Sequence, residues 1–306
     1  MEVAWSWVRE AILAAGLIAI LIGGMYVATG SWPPMVVVES GSMMHDDDGS
    51  VGAIDPGDLV LVMDPERTNI ETWAEAVAAG GSDVDNHGMP GDVIIYRKNG
   101  GSDTPVIHRA IIRAEAYTTE TPLDRTTEQC DNGSWDPITI DSDGEAGTCV
   151  LTWWVPGTDV IGVESITVEL DYPCHPNGKL QITNWNPGHA GYLTTGDNLF
   201  SNGCDYDQKG GHSGGLLDEN GRAVEAVRDD WVVGVAGAEI PWVGAIKLGL
   251  SANSGQVPSS SWWSLTFTAI VLLAIPMVWE KTVARLIETS PEVELARIED
   301  EAGEEE

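Results

Sequence analysis

The sequence predicts a mainly β domain held between two transmembrane helices. Two apolar runs, residues 11–30 and 262–279, contain no charged side chain, and each is long enough for a helix that crosses a bilayer. Between them, short apolar and β-branched runs are separated by Gly, Pro and Asp, which is typical of strands joined by turns. The 306 residues are enough for one or two domains with a sizeable core.

A cleaved signal peptide is the alternative interpretation of the first apolar run. Its apolar core would be shorter, and a cleavage site of the Ala-x-Ala kind would follow it. Here the run ends at Gly30 and continues through Trp32, Pro33 and Pro34, which are an interfacial aromatic residue and a stop to the helix. This order favours an uncleaved anchor, with the N-terminus and the first span in residues 1–30.

The few basic residues near the apolar runs predict the orientation in the cell membrane. Arg9 precedes the first span, and Lys281 and Arg285 follow the second, so both termini are expected in the cytoplasm. Residues 31–261 then form an extracytoplasmic domain and residues 262–280 the second span. The acidic end of residues 281–306 is expected to be a solvated cytoplasmic tail.

Short apolar runs between the two spans predict a sheet. The expected strands are 36–39, 59–63, 93–97, 106–112, 160–170, 232–236 and 245–248. A short helix is predicted over residues 68–79, started by Asn69 and ended by Gly80 and Gly81. Three weakly periodic segments, at about 64–90, 113–158 and 199–225, are interpreted as insertions into the sheet.

The charge of the chain limits its partners. The formal net charge is −33 and the pI is near 4.2, which argues against nucleic acid as a partner and against anionic lipid as the main one. An excess of acidic residues also keeps proteins soluble where salt screens their repulsion, so a halophilic host is the favoured explanation.

Four cysteines, Cys130, Cys149, Cys174 and Cys204, lie between the spans and form no Cys-x-x-Cys pair. This spacing gives little support to a zinc site, whereas an exported domain permits disulfides. Three pairings are open, of which Cys130–Cys149 with Cys174–Cys204 is the most local.

A candidate nucleophile follows the first expected strand. Ser40 and Ser42 flank Gly41 directly after a β-branched run, close to the first span. A serine hydroxyl becomes a good nucleophile only when a base accepts its proton. Of the six histidines, His108 is the strongest candidate, although a lone histidine in a strand is more often a packed core residue. Asp197, in a Gly-Asp-Asn sequence that ends a further strand, offers a carboxylate to orient the imidazole.

Two other histidines are weaker candidates. His212 begins His-Ser-Gly-Gly, which is faintly similar to the Gly-Asp-Ser-Gly-Gly of trypsin-like proteases but has histidine in place of the aspartate. A flexible glycine-rich loop is the simpler interpretation of this stretch. His45 precedes three consecutive aspartates, 46–48, which cannot all face one metal ion, so a hydrated loop is preferred there.

Five blocks in chain order give the chain a resemblance to type I signal peptidases of the archaeal and endoplasmic-reticulum kind. The blocks are Ser40-Gly41-Ser42-Met43, residues 57–60, residues 91–96 with 107–109, residues 193–198, and residues 231–234 with 239–244. The resemblance implies a signal-peptidase-like β-sheet catalytic domain. It does not extend to the three insertions.

The resemblance implies a role for each matching residue. Ser42 matches the nucleophile, His108 the general base and Asp197 the first acid of the family. A second acid is best matched by Asp207 of Asp207-Gln208, with Asp205 as the alternative.

The oxyanion and substrate-binding set is carried over in the same way. Ser40 matches a residue whose hydroxyl helps to hold the oxyanion, and Met43 is placed beside it in this set. Contact with lipid and ordinary packing are the alternatives for Met43. Thr195 stands where the family usually has lysine, so this position cannot supply a lysine base.

The implied activity is a membrane-bound serine endopeptidase that removes N-terminal signal peptides from exported preproteins after a small residue. Its partners would be secretory preproteins and the lipid bilayer, no metal or organic cofactor is implied, and a need for further secretion subunits stays open. Two alternatives remain: a non-catalytic exported β domain for binding or assembly, and a regulatory intramembrane or self-cleaving protease with the same residues.

Overall fold

A computed structural model of the chain describes residues 2–81, 86–117, 122–123, 138–140, 146–149, 152–210, 214–251 and 254–288. The chain divides into two compact units, residues 1–258 and residues 259–306. The first unit contains the N-terminal helix and the sheet, and the second contains the C-terminal helix.

The helices and strands follow one another with the sheet in the middle of the chain. The helices are α1 (Glu2–Thr29), α2 (Trp73–Ala78), α3 (Leu199–Asn202), α4 (Ala245–Gly249) and α5 (Ser259–Glu288). The strands are β1 (Gly30–Val37), β2 (Leu59–Met63), β3 (Val93–Tyr96), β4 (Val106–Tyr117), β5 (Pro122–Leu123), β6 (Ile138–Ile140), β7 (Ala146–Cys149), β8 (Thr152–Trp154), β9 (Ile161–Val163), β10 (Ile166–Asp171), β11 (Lys179–Trp185), β12 (Gly191–Thr195) and β13 (Val232–Ile240).

Nine of these strands form one antiparallel sheet, which confirms the mainly β prediction. Its order is β1-β2-β13-β3-β4-β8-β9, and both β12 and β5 also pair with β4. Two further antiparallel pairs are β10 with β11 and β6 with β7. The first expected strand is longer than predicted because it begins at Gly30. Its two prolines are tolerated because β1 lies at the edge of the sheet.

Both terminal apolar helices are long and apolar enough to cross a membrane. The candidate spans are Trp7–Thr29 in α1 and Ser259–Leu286 in α5, and length and composition are the only grounds for both. Their orientation stays a prediction. In α5 the helix continues past Pro276, and the freed backbone groups of such a proline are tolerated in membrane helices.

Other predicted elements also differ from the structure. Residues 245–248 form helix α4 and not a strand, and this helix buries Ala245 and Leu248, three residues apart. A run of four residues is too short for its hydrophobic period to distinguish a helix from a strand. The helix predicted over 68–79 is confined to α2, because a capping box between Thr72 and Glu75 fixes its start. The run 160–170 is two strands, β9 and β10, and β4 continues five residues beyond 112 into the segment interpreted as an insertion.

The centre of the sheet is covered on both faces. One core cluster includes Trp73, Trp153 and Tyr172, with Trp73 and Tyr172 edge to face at 4.9 Å. A second includes Tyr96 and Tyr192. Strand β4 contributes to both clusters, so polar side chains on this strand are buried together with the apolar ones.

A disulfide fixes the segment that follows β12. Cys174 and Cys204 are bonded, which is one of the pairings left open by the sequence. Cys204 is buried in the core cluster of Trp153. Cys130 lies outside the described residues, so the other pairing stays a prediction.

Candidate functional site

The loop after β1 presents Ser42 at the surface. Met43 is 1% exposed and packs in a core cluster with Val38, Ile54 and Val60. Its side chain therefore reaches neither lipid nor a substrate, and ordinary packing, the alternative named for it above, is what the structure has. With Met43 anchored, the neighbouring Ser42 is held half-buried. Its hydroxyl lies 3.4 Å from that of Ser40, which is exposed, and either group can donate.

Asn198 holds the same loop from the other side. Its backbone N–H donates to the Ser42 carbonyl at 2.9 Å, and its side-chain amide donates to the Gly41 carbonyl at 2.5 Å. Two hydrogen bonds from one residue therefore fix the peptide groups on both sides of Ser42. The Gly-Asp-Asn sequence thus positions the candidate nucleophile directly.

Gly196 lies between the serine loop and His108. A Cβ at this position would be 2.5 Å from the Ser42 carbonyl oxygen and 3.1 Å from Nε2 of His108. Only a residue without a side chain fits there, because the nearer of these atoms is backbone and cannot move aside. The backbone of Ser42 and the ring of His108 therefore both lie against this glycine.

His108 is buried on β4 and is bound to an acid. Its register partner is Ile94 on β3, and the residue is 4% exposed. Its Nδ1 lies 2.6 Å from Oδ2 of Asp207. An ionised carboxylate can only accept, so in the neutral imidazole Nδ1 carries the proton and Nε2 the lone pair. That nitrogen is the one that faces Gly196 and the Ser42 loop.

Asp207 is held by more donors than His108 alone. It opens a short 3₁₀ turn, Asp207–Lys209, and is 2% exposed. Its Oδ2 also accepts from the hydroxyls of Thr194 at 2.7 Å and Tyr96 at 3.1 Å. Gln208 fixes Thr194 in turn by accepting from its backbone N–H at 2.9 Å. The carboxylate oxygen that faces the imidazole therefore has a defined position.

Tyr96 is a donor in this network and not an anion. Burial is the main cause that raises the pKa of its phenol well above the usual value, and the negative charge of Asp207 raises the pKa further. The hydroxyl therefore stays protonated and available to Asp207 or to Thr194, both 3.1 Å away. The hydroxyls of Tyr96 and Thr194 thus complete the hydrogen bonding of the Asp207 carboxylate.

Asp197 is occupied by other partners. The guanidinium of Arg109 donates to it from Nε at 3.0 Å and from Nη2 at 2.6 Å, and Tyr172 donates at 2.9 Å. Burial alone would raise the pKa of Asp197, but the charge of Arg109 and the hydrogen bonds from His45 and Arg109 lower it to about 2. No described hydrogen bond joins Asp197 to His108, so this carboxylate belongs to a structural ion pair beside the site.

Asp205, the remaining candidate acid, is also directed elsewhere. Its side chain is ion-paired with Lys209, and its carbonyl accepts from the hydroxyl of Thr195 at 2.7 Å. Of the three aspartates left open by the sequence, Asp207 is therefore the one whose carboxylate contacts His108.

The remaining histidine candidates have other surroundings. His212 lies outside the described residues. Residues 45–48 are exposed, as expected for the hydrated loop predicted there, and Nε2 of His45 lies 3.4 Å from Asp197. Within the described ranges, no group of three or more His, Cys, Asp and Glu side chains is arranged to hold a metal ion.

Sequence reasoning missed four residues that shape the site: Tyr96, Thr194, Asn198 and Gln208. All four lie inside blocks or pairs that the sequence singled out, but no role followed from their type alone. Tyr96 lies near the end of the predicted strand 93–97 and is fully buried, and a buried tyrosine hydroxyl needs a partner, which was the available signal.

Comparison with known proteins adds no assignment, since the chain matches no protein family and no curated protein at a significant level of similarity.

Proposed function

We propose that the chain is a membrane-bound serine endopeptidase of the signal peptidase I type, which cleaves N-terminal signal peptides from exported preproteins after a small residue. One observation carries the proposal. The imidazole of His108 is bound at Nδ1 by the buried Asp207, and its Nε2 faces the loop of Ser42 across Gly196. This is the order of acid, base and nucleophile that serine hydrolases of unrelated folds share.

Each group has a step in the reaction. Ser42 attacks the carbonyl of the scissile peptide while Nε2 of His108 takes the hydroxyl proton. Asp207 keeps the imidazole in the required tautomer and stabilises the imidazolium that forms. His108 then returns the proton to the leaving amine, and water hydrolyses the acyl-enzyme by the same proton path in reverse. The Ser42 N–H and the Ser40 hydroxyl are the proposed donors to the oxyanion.

The position of the serine supports a membrane-derived substrate. Ser42 follows β1, which itself begins directly after the candidate span in α1. A peptide that leaves the bilayer in an extended form would meet the serine loop and pair with a sheet edge there. The proposed localisation is the cell membrane, with the sheet domain outside the cytoplasm.

The proposal is tested by preprotein cleavage in membranes. Ser42→Ala and His108→Ala are each expected to abolish processing, whereas Glu219→Gln, an exposed change outside the site, is expected to leave it intact. Full processing by either of the first two variants would remove the mechanism. Comparable folding of all three proteins, checked by thermal unfolding in detergent, separates lost chemistry from lost structure.

One observation favours a second candidate, a non-catalytic exported β domain. Among the described residues, the Ser42 hydroxyl is hydrogen-bonded to Ser40 and not to His108. Catalytic hydrogen bonds are often long in the absence of substrate, so this geometry is compatible with both functions. A fluorophosphonate or an acylating peptide inhibitor decides between them, because only an activated Ser42 would be labelled.

A further inference from the structure

A polar cleft lies beside the serine loop and is not used by the mechanism above. It has a volume of about 440 Å³ and is lined by His45, residues 50–53, residues 86–88 and residues 237–239 of β13. Its polar lining includes His45, Asn86, His87 and Glu239. His45 joins the cleft to the site. Its ring contacts Asp197 at 3.4 Å, and Asn198, which follows Asp197, donates its backbone N–H to the Ser42 carbonyl.

The walls of the cleft are fixed in place. Nη1 of Arg109 donates to the carbonyls of Asn86 at 2.9 Å and Gly91 at 2.6 Å, which holds the segment that carries His87. A Cβ on Gly88 would be 2.2 Å from the His45 ring, so the two loops meet with no room for a side chain. The cleft is therefore built from positioned backbone and not from a loose surface loop.

His87 lines this cleft, and one of its ring nitrogens is buried without a hydrogen-bond partner among the described residues. Its side chain is 6% exposed, and its Nδ1 lies 3.4 Å from Oε2 of Glu239. With Nδ1–H donating to that carboxylate, Nε2 carries a lone pair, and this buried atom has no partner among the described residues. A buried acceptor without a donor costs free energy, which a ligand with N–H groups would recover.

The charge around the cleft is negative. One oxygen of Glu239 accepts from the Gly52 N–H at 2.7 Å, and the carboxylate is 10% exposed. The same charge acts on Asp55 close by. Burial is the main cause that raises the pKa of Asp55 to about 7, the hydrogen bond from Ser50 opposes it, and the charges of Asp58, Asp46 and Glu239 raise the pKa further. A cation placed here would meet a favourable potential.

We infer that this cleft binds the cationic side chain, Arg or Lys, of a peptide substrate at a position close to the cleaved bond. Glu239 supplies the opposite charge and His87 Nε2 accepts an N–H. An organic cation fits better than a metal ion, because no three ligating side chains converge within the described part of the chain. The inference rests on the proposed function, since it gives the same site a preference for a basic residue in its substrate.

The test measures binding, so that it does not depend on cleavage. Full-length protein with Ser42→Ala is titrated in detergent micelles with labelled, blocked peptides that carry Arg or its neutral isostere citrulline at one position, moved in turn through both sides of the cleavage site. Fluorescence anisotropy is expected to show at one position at least about tenfold tighter binding of the Arg peptide. Glu239→Gln in the same background is expected to bring that ratio close to one.

Glu219→Gln is the matched control, because it removes one exposed carboxylate at another place on an acidic protein. It is expected to keep the preference, which separates the cleft from general attraction between peptide and surface. If Glu239→Gln does not fold, Glu239→Asp serves instead and must lower the ratio. Equal binding of Arg and citrulline peptides at every position, or a ratio that Glu239 variants leave unchanged, overturns the inference.

The two proposals fail in different ways. Active protein that cleaves neutral and basic peptides equally well would leave the peptidase proposal standing and remove the cationic subsite. Active protein that cleaves no peptide, while the Ser42→Ala protein still prefers Arg over citrulline, would remove the peptidase proposal and keep a cation-binding cleft.

Discussion

His108 and Asp207 are joined by a 2.6 Å hydrogen bond between Nδ1 and Oδ2, although 99 residues separate them in the chain. Both residues are buried, and the acid accepts two further hydroxyl donors on the same oxygen. A carboxylate held in this way fixes the tautomer of the imidazole without any movement of its own. The contact therefore supplies the orientation that a general base in this position needs.

Asp207→Asn is expected to lower the kcat/KM for preprotein cleavage on the order of 10³-fold with little change in folding, because the amide no longer selects the tautomer with Nε2 unprotonated. Cleavage assays on detergent-solubilised protein measure the loss, and thermal unfolding measures the stability. Asp205→Asn is the control, since that carboxylate is paired with Lys209 and makes no described contact with His108. Equal losses for the two variants would contradict the assignment of the acid.

Asp197→Asn is expected to act on stability. Its removal leaves the buried guanidinium of Arg109 without its carboxylate partner, and breaking a buried ion pair costs about 3–5 kcal/mol. A lower melting temperature and loss of the folded protein on heating are the expected results. A variant that melts like the unmodified protein but has lost all cleavage would instead place Asp197 in the chemistry.

The contrast between these two aspartates shows where sequence reasoning stops. The Gly-Asp-Asn sequence marked Asp197, and the Asp-Gln pair marked Asp207, but nothing in the spacing says which carboxylate reaches an imidazole. The answer depends on α3 and the Cys174–Cys204 disulfide, which place the Asp207 turn next to β4 and β12. Such contacts between distant segments leave no periodic signal in the chain.

The strands of the main sheet were easier to predict than the short helix α4 and the strand β11. Runs such as 59–63 and 93–97 contain strands because their apolar residues pack on a covered sheet, whereas the five residues of α4 carry too little pattern to identify a helix. Strand β11 was not predicted, although its sequence alternates between buried and exposed residues at Leu180 and Ile182. Ser42 and His108 became candidates because a serine at a strand end near a span and a histidine inside an apolar strand stand out from their surroundings.

Tyr96→Phe tests the surroundings of the acid. The change removes one hydroxyl donor from Asp207 and leaves the ring in its buried position, so about a tenfold drop in kcat/KM is expected, the equivalent of one ordinary hydrogen bond. Tyr206→Phe is the matched control, because its ring lies near Lys209 and its hydroxyl makes no described contact with Asp207. If both variants cleave at the unmodified rate, Thr194 and His108 alone are enough to hold the carboxylate.

Gly196→Ala tests the packing of the serine loop against His108. The added methyl would lie 2.5 Å from the Ser42 carbonyl oxygen, closer than two such atoms can approach, so the loop must shift away from the imidazole. Since small displacements of reacting groups are costly, cleavage is expected to fall at least about 100-fold. Gly24→Ala, where no atom lies within 4 Å, is expected to leave cleavage unchanged. Retained activity in the Gly196 variant would show that the two groups need not approach each other here.

Asp55 gives the sheet domain a pH dependence of stability whose sign can be stated in advance. Burial, together with nearby acidic groups, raises its pKa in the folded chain from 3.8 to about 7. Because the pKa is raised, the folded chain favours the protonated Asp55 carboxyl. Its contribution to the free energy of unfolding is complete below about pH 4 and is lost as the pH rises through about 7. The melting temperature is therefore expected to fall between pH 5 and pH 8.

Asp55→Asn removes this titration while keeping the shape and the acceptor for the Ser50 N–H. The variant is expected to lose most of the decline between pH 5 and pH 8, and to be more stable than the unmodified protein at the upper end. Asp48→Asn, a change to an exposed carboxylate in the same loop, is expected to keep the decline. Because Asp55 does not contact His108, the variant separates the pH dependence of folding from that of cleavage, and an unchanged slope in Asp55→Asn would assign the decline to other groups.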